Sequence, residues 1–346
     1  MLDETQYFYV LIAFGISLLV HYWVIELSHK KGVFLDEYEK VQKVHINPTP
    51  RIGGLGIFLS LLFIAADHNW GVPLILTAIP AFIAGFLEDY SGKIKPTQRL
   101  GIMCLSPIMA FIILHSSILQ YWGGFIIPTY IGVFLSLVLV LALINGVNFS
   151  DGQNGLASSS ALISTITLCI LSYHLKSESF FYILCIIAAA ITAFLLYNYP
   201  KGRIFLGDGG AYVLGFLLSI ISILLTQLYP LQLSPLLIPA ILIYPLWEVV
   251  FSTLRKIFYD RMSPLHSDHH HLHQLLYRNF ALGKSYAVTV MITPFQIIIA
   301  LVAIAYPNNT LLLSIAIIAY IVLYCTVYTI ARAKDFKKLV KAATNE

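Results

Sequence analysis

Long apolar stretches alternate with short polar gaps along the whole 346-residue chain. A helix that crosses a bilayer needs about 20 predominantly apolar residues, and a helix satisfies its own backbone where no water can. The pattern predicts spans near 8–25, 53–67, 71–87, 101–119, 129–146, 156–173, 180–198, 211–228, 233–252, 285–305 and 311–331, eleven in all. The expected fold is therefore an all-α, polytopic integral membrane protein, read as a single transmembrane domain.

The charges give these spans a direction. Of 21 lysines and arginines, five fall in 26–52, three in 88–100, two in 199–210, five in 253–284 and five in 332–346, which leaves only Lys176 on the other side. Basic residues resist translocation and mark the cytoplasmic face. The amino terminus is expected outside and the carboxyl terminus in the cytoplasm. Trp70, Tyr121, Trp122, Tyr173, Tyr229 and Tyr306 close the outer ends of spans as an aromatic belt.

Composition removes most other classes. With 58% hydrophobic and 11% charged residues and a mean hydropathy of +0.81, the chain lies outside the range of soluble domains. Its formal charge of +4 suits anionic headgroups and anionic substrates, and nucleic acid is not indicated. Cys104, Cys169, Cys185 and Cys325 all lie in apolar stretches and read as free, packed thiols. The first apolar run lacks a basic region before it and is followed by Lys30 and Lys31, as a retained span would be. No internal repeat of the transporter kind is visible.

Polar chemistry gathers in four cytoplasmic segments. Glu88 and Asp89 end the third span and precede Lys93, Lys95 and Arg99, a setting for a hydrated magnesium ion and its phosphates or for a plain acidic helix end. The stretch from Asn145 to Leu156 has no basic residue, and Asn145, Asn148 and Asp151 share one side if the helix continues. An unpaired carboxylate at membrane depth marks a functional site, the alternative being a turn rich in Asn and Gly. Around Asp208, Gly207, Gly209 and Gly210 precede the eighth span, where open N–H groups would seat a phosphate and the aspartate would hold a cation or cap the helix. Between Ser263 and Gln274 stand five of the 11 histidines, open to phosphate contact, a transition metal or a solvated loop.

Together these segments resemble the polyprenyl-phosphate N-acetylhexosamine-1-phosphate transferase family, glycosyltransferase family 4. The resemblance begins at His45-Ile46-Asn47-Pro48-Thr49-Pro50-Arg51-Ile52-Gly53-Gly54 and runs through the Asn-rich, Phe-Leu-Gly-Asp and histidine motifs. His271-Leu272-His273 looks like the N-acetylglucosamine branch, because the muramoyl-pentapeptide branch follows its triple histidine with an aromatic residue and a glutamate. Glu88, Asn154 and Gln274 depart from the family pattern.

The resemblance implies transfer of a sugar 1-phosphate from a UDP-N-acetyl sugar to undecaprenyl phosphate at the bacterial inner membrane, with release of UMP. The product would start a lipid-linked surface glycan of O-antigen, enterobacterial common antigen or teichoic-acid type. Magnesium or manganese would be held by Asp208, with Asp89 and Asp151 next. The catalytic set is Glu88, Asp89, Asn148, Asp151, Asp208, His271 and His273. The substrate-binding set is Arg51, Lys93, Lys95, Gly152, Gln153, Asn154, Asn198, Arg203 and Phe205, with uridine against Phe205 and its polar edges on Asn198 and the turn 152–154. The active-site loops are 26–52, 88–100, 145–156, 198–210 and 253–284. A homodimer stays open. The competing classes are a secondary transporter and a membrane phosphatase or pyrophosphatase.

Overall fold

The computed structural model describes residues 2–35, 48–122, 124–263 and 268–344, with side chains to Lys337. His45, Ile46 and Asn47 of the first motif and Pro264 to Ser267 of the histidine segment lie outside the described residues. Thirteen α-helices are described: α1 (Glu4–Lys31), α2 (Gly53–Leu61), α3 (Gly71–Ser91), α4 (Pro96–Ile113), α5 (Thr129–Ser150), α6 (Leu156–His174), α7 (Glu178–Asn198), α8 (Gly207–Leu228), α9 (Leu237–Ile241), α10 (Ile243–Leu254), α11 (Leu272–Asn279), α12 (Ser285–Ala305) and α13 (Thr310–Thr344). Among the described residues nine helices are long and apolar enough to cross a membrane. The chain is an all-α polytopic membrane protein. Its only described strands, β1 (Tyr121–Trp122) and β2 (Phe125–Ile126), form a small antiparallel hairpin that the hydropathy pattern does not announce.

Two expected spans take another form. The stretch near 53–67 is a short helix continued by a 3-10 turn, Leu62–Ala66. The stretch near 233–252 divides into α9 and α10 at Leu242. Pro245 supplies the reason, since it has no N–H to give the carbonyl of Ile241 one turn earlier. That carbonyl instead accepts Ser164 Oγ at 2.7 Å and Gln296 Nε2 at 3.3 Å, so side chains of α6 and α12 replace the missing helical bond. Several helices outrun the expected spans, and two of these extensions matter most here. α5 continues to Ser150, which puts Asn145 and Asn148 on a helix and Asp151 just beyond its end, and α13 continues well past the apolar stretch.

α8 is the hub. Every residue from Gly207 to Gln227 is buried, as expected of a helix that is apolar all round. It packs against α2, α3 and α5. Its far end is fixed by Gln227, whose Oε1 accepts the N–H groups of Gln120 and Tyr121 at 2.8 Å each. Its near end carries Asp208, and the chemistry collects there. The four cysteines are half-buried and free, with Cys169 and Cys185 in contact at 3.6 Å.

Candidate active site

The site is built around the first turn of α8. Gly207 enters the helix with φ +73°, in the left-handed region, and a Cβ there would meet the Arg51 carbonyl at 2.4 Å and Asp89 Oδ2 at 2.6 Å. Its N–H donates to Asp151 Oδ2 at 2.9 Å. The next two N–H groups, of Asp208 and Gly209, donate to Asp89 Oδ1 and Oδ2, each at 2.9 Å. The first N–H groups of a helix have no internal partner and sit at its positive end, so carboxylates are drawn to them. This corrects one expectation: the glycine-rich turn is not an open phosphate seat, because Asp151 and Asp89 already occupy its donors. Asp89 reaches them because α3 touches α8 at Gly85, where a Cβ would fall 2.3 Å from the backbone of Asp208 and Gly209.

Asp208 itself is buried and fully partnered. Its Oδ1 accepts Asn148 Nδ2 at 2.9 Å and Arg51 Nη2 at 3.3 Å; its Oδ2 accepts Arg99 Nη1 at 2.8 Å and the Tyr212 hydroxyl at 3.1 Å. Arg99 also stands 3.7 Å from Glu88, whose Oε2 accepts the N–H of Ile94 at 3.2 Å. Lys93 and Lys95 are exposed, so the cation that reaches these acids from their loop is Arg99. At Asp151, burial, reinforced by the charge of Asp208, pushes the pKa up to about 7 against the pull of Arg51 and the Gly207 N–H.

The histidine segment meets this cluster through the turn after α5. His271 caps α11, stacks on His273 at 5.6 Å and packs on Phe149 at 5.2 Å. Its Nδ1 is 2.9 Å from Glu248 Oε1, and the Tyr324 hydroxyl donates to the other oxygen, Oε2, at 2.7 Å. His273 is buried against Gly152, with Nδ1 3.3 Å from the Tyr244 hydroxyl, and burial lowers its pKa to about 4. His273 is therefore an interior, neutral ring rather than the phosphate donor expected of it.

The pattern of glycosyl transferase family 4 matches residues 72–226, which hold Glu88, Asp89, the Asn-rich turn and Asp208. A decaprenyl-phosphate N-acetylglucosaminephosphotransferase from Mycolicibacterium smegmatis is 27% identical over 78% of this chain and 74% of its own. The chain is similar to glycosyl transferase family 4 over that segment. Two further relatives span its breadth. A probable undecaprenyl-phosphate N-acetylglucosaminyl 1-phosphate transferase from Bacillus subtilis is 26% identical over 94% of this chain and 92% of its own. A phospho-N-acetylmuramoyl-pentapeptide-transferase from Streptococcus agalactiae is 27% identical over 62% and 72%.

The cluster offers a divalent cation the right chemistry. Asp89, Asp151 and Asp208 present only hard carboxylate oxygens. They do not form a closed cage: among the described residues the one set of three acids, histidines or cysteines with ligand atoms within 4.8 Å of one another is Asp260, Asp268 and His270. Magnesium tolerates that openness, since it usually takes one or two carboxylates and completes its shell with water and substrate phosphates. The tighter set is already neutralised, because Arg255 pairs with both Asp260 and Asp268 and Arg332 pairs with Asp260.

The expected uridine contacts fare differently. Asn198 donates to the Ile204 carbonyl at 2.7 Å and accepts the Gly155 N–H at 2.7 Å. Gln153 Oε1 accepts Ser285 Oγ at 2.8 Å, and Asn154 Nδ2 donates to the Pro200 carbonyl at 2.8 Å. All three are buried, and these bonds lock the turn, the loop after α7 and the start of α12 together. They hold the rim of the site rather than line it. Arg203 is exposed, and Phe205 is half-buried with its backbone tied to Pro50 and Gly53.

Four partners lie outside the set read from sequence. Arg99 was visible as one basic residue among three. Tyr212 stands four residues after Asp208, hence on the same helix face. Glu248 carried the clearest overlooked signal, an acid inside an apolar stretch. Tyr324, one tyrosine among 21, carried none.

Proposed function

We propose that the chain transfers an N-acetylhexosamine 1-phosphate from a UDP-sugar to undecaprenyl phosphate, releasing UMP. The observation that carries this reading is the junction at the start of α8, where Asp89, Asp151 and Asp208 meet Arg51 and Arg99 within an otherwise apolar bundle. Interleaved carboxylates and guanidiniums suit two anionic reactants with a hard cation between them. The names of the relatives from Mycolicibacterium smegmatis and Bacillus subtilis supply the donor class, N-acetylglucosamine, and the acceptor class, a polyprenyl phosphate.

In the reaction an oxygen of the lipid phosphate attacks the sugar-bearing phosphorus of the donor. One P–O bond forms as the P–O bond to UMP breaks, and UMP leaves with the bonding pair. The acceptor has a second pKa of about 6, by analogy with phosphorylated side chains, so at neutral pH it is already mostly a dianion. Deprotonation then needs little help, and the residues act mainly by placing charge. Asn148 and Tyr212 hold the Asp208 carboxylate, while Arg51 and Arg99 flank it and lie ready for phosphate oxygens. His271 offers its Nε2 lone pair to the residual proton of the lipid phosphate. Asp208, with Asp89 and Asp151, would hold magnesium or manganese. When bound there, the ion would supply positive charge to offset the charge developing during the transfer.

The distribution of 20 of 21 basic residues in alternate loops supports a site facing the cytoplasm of the bacterial inner membrane. The His271-Leu272-His273 motif favours N-acetylglucosamine over the muramoyl-pentapeptide donor. The test is Asp208→Asn, which removes a hard ligand and one charge while keeping shape. UMP release should vanish while the purified variant stays monodisperse in detergent; full activity would contradict the proposal.

A further inference from the structure

Glu248 lies on α10 in the middle of the bundle with no exposed surface, and it is absent from every motif that marks the site. Both of its oxygens are used. Oε1 faces His271 Nδ1 at 2.9 Å, and Oε2 accepts the Tyr324 hydroxyl of α13 at 2.7 Å. A carboxylate that receives a hydroxyl on one oxygen and faces a ring nitrogen with the other can only be an acceptor toward that nitrogen. The hydrogen of a neutral His271 ring is therefore on Nδ1, and Nε2 carries the free lone pair. Nε2 points away from Glu248, toward the side where Asp268 Oδ1 stands 3.5 Å off.

The ring is held from other directions too. Phe149 packs on it at 5.2 Å, and His273 stacks with it at 5.6 Å and 15° between planes. His273 is in turn met by Tyr244, one turn before Glu248 on α10. One face of α10 thus sets the whole His271–His273 pair. A buried acid costs free energy to keep in an apolar interior, so its retention here calls for a role beyond packing.

We propose that Glu248 is a positioning residue for the transfer reaction, fixing the orientation and the Nδ1–H tautomer of His271 so that the Nε2 lone pair can take the residual proton of the lipid phosphate, after which Nε2–H donates to the phosphate oxygens. The proposal rests on the transferase reading of the site. Partners that orient a functional histidine set which ring nitrogen carries the proton, and losing such a partner typically costs about 10- to 100-fold in function.

The experiment compares wild type, Glu248→Gln, Glu248→Asp, His271→Ala and the Glu248→Gln/His271→Ala double variant, purified in detergent and assayed with undecaprenyl phosphate and UDP-N-acetylglucosamine. Glu248→Gln keeps shape and burial but offers one acceptor and one donor, so it no longer dictates the tautomer. The expected result is a fall in kcat of about 10- to 100-fold with KM for the UDP-sugar changed by less than about threefold. Glu248→Asp should recover part of kcat, because the acceptor is restored at shorter reach. In the His271→Ala background, Glu248→Gln should cost nothing further. An equal loss in both backgrounds would overturn the proposal by showing that Glu248 acts only on the scaffold. Nitrogen-15 histidine spectra of the same proteins at pH 8 give a readout independent of turnover. His271 should be protonated at Nδ1 in wild type and mixed in Glu248→Gln, and an Nε2–H ring in wild type would overturn the assignment. A wild type that turns over no UDP-sugar, yet shows the Nδ1–H ring, would defeat the transferase reading while leaving the Glu248–His271 contact established.

Discussion

Asp89, in the last turn of α3, accepts the backbone N–H groups of Asp208 and Gly209 through its two carboxylate oxygens, both at 2.9 Å. One acid of the site therefore holds the helix that carries another. Each motif depends on its neighbour for its geometry, so damage to one should register as a loss of fold as well as a loss of chemistry.

Asp89→Asn puts this to a direct test. Asparagine has a single carbonyl oxygen to offer two N–H groups, so one buried donor loses its partner at a cost of about 1–3 kcal/mol. A lowered melting temperature in detergent is expected together with loss of UMP release. An unchanged melting curve would show that the N–H groups find water instead.

The two arginines on Asp208 should not weigh equally. Arg99 is the closer at 2.8 Å and the less exposed, 25% against 38% for Arg51, which stands at 3.3 Å. Arg99→Ala should lower the melting temperature more than Arg51→Ala, with Arg99→Lys in between because a lysine restores the charge without the planar fork. The reverse order would contradict this assignment of the ion pairs.

His273 gives stability a pH dependence with a definite sign. Its pKa is lowered to about 4 by burial, below the ordinary value of 6.5. Between those values the unfolded chain binds the proton and the folded chain does not, so stability falls as pH drops from about 6.5 to about 4 and is flat above. The difference reaches about 3 kcal/mol for a shift of that size. Thermal melts from pH 4 to pH 8 should show it, and His273→Gln should remove it; a variant as acid-sensitive as wild type would show that other groups govern the slope.

Sidedness can be read by single-cysteine labelling in a background where the four native cysteines are replaced by serine. Positions 95, 205 and 268 should react only from the cytoplasmic side and positions 176 and 308 only from outside. Opposite labelling of 95 and 268 would end the single-site account.

How much of this was legible in the sequence follows from the range of each interaction. Hydropathy is a local sum, so the helices around α3, α5, α7, α8 and α12 were readable, whereas the break between α9 and α10 needed the backbone consequence of Pro245 to be weighed against a mostly apolar stretch. Asp89, Asn148, Asp151 and Asp208 declared themselves as polar residues at span ends, and the structure brings them together. What the sequence hid was direction. Asn198, Gln153 and Asn154 look like ligand-seeking amides, but a loop that turns back into the bundle has backbone groups to satisfy, and these side chains satisfy them. His273 likewise follows the helix face of α11 into the interior, a matter of register that a loop reading of 263–274 does not contain.

The central claim, that this site exchanges UMP for a lipid phosphate, is tested most directly by following UMP from purified protein given undecaprenyl phosphate and a panel of UDP-N-acetyl sugars. The account predicts UMP release that requires both the lipid phosphate and magnesium or manganese, that equals the lipid-linked sugar formed, and that stops on addition of a chelator. Release of inorganic phosphate without lipid-linked product would contradict it and favour a phosphatase, and solute flux across vesicles with no UMP formed would contradict it and favour a transporter.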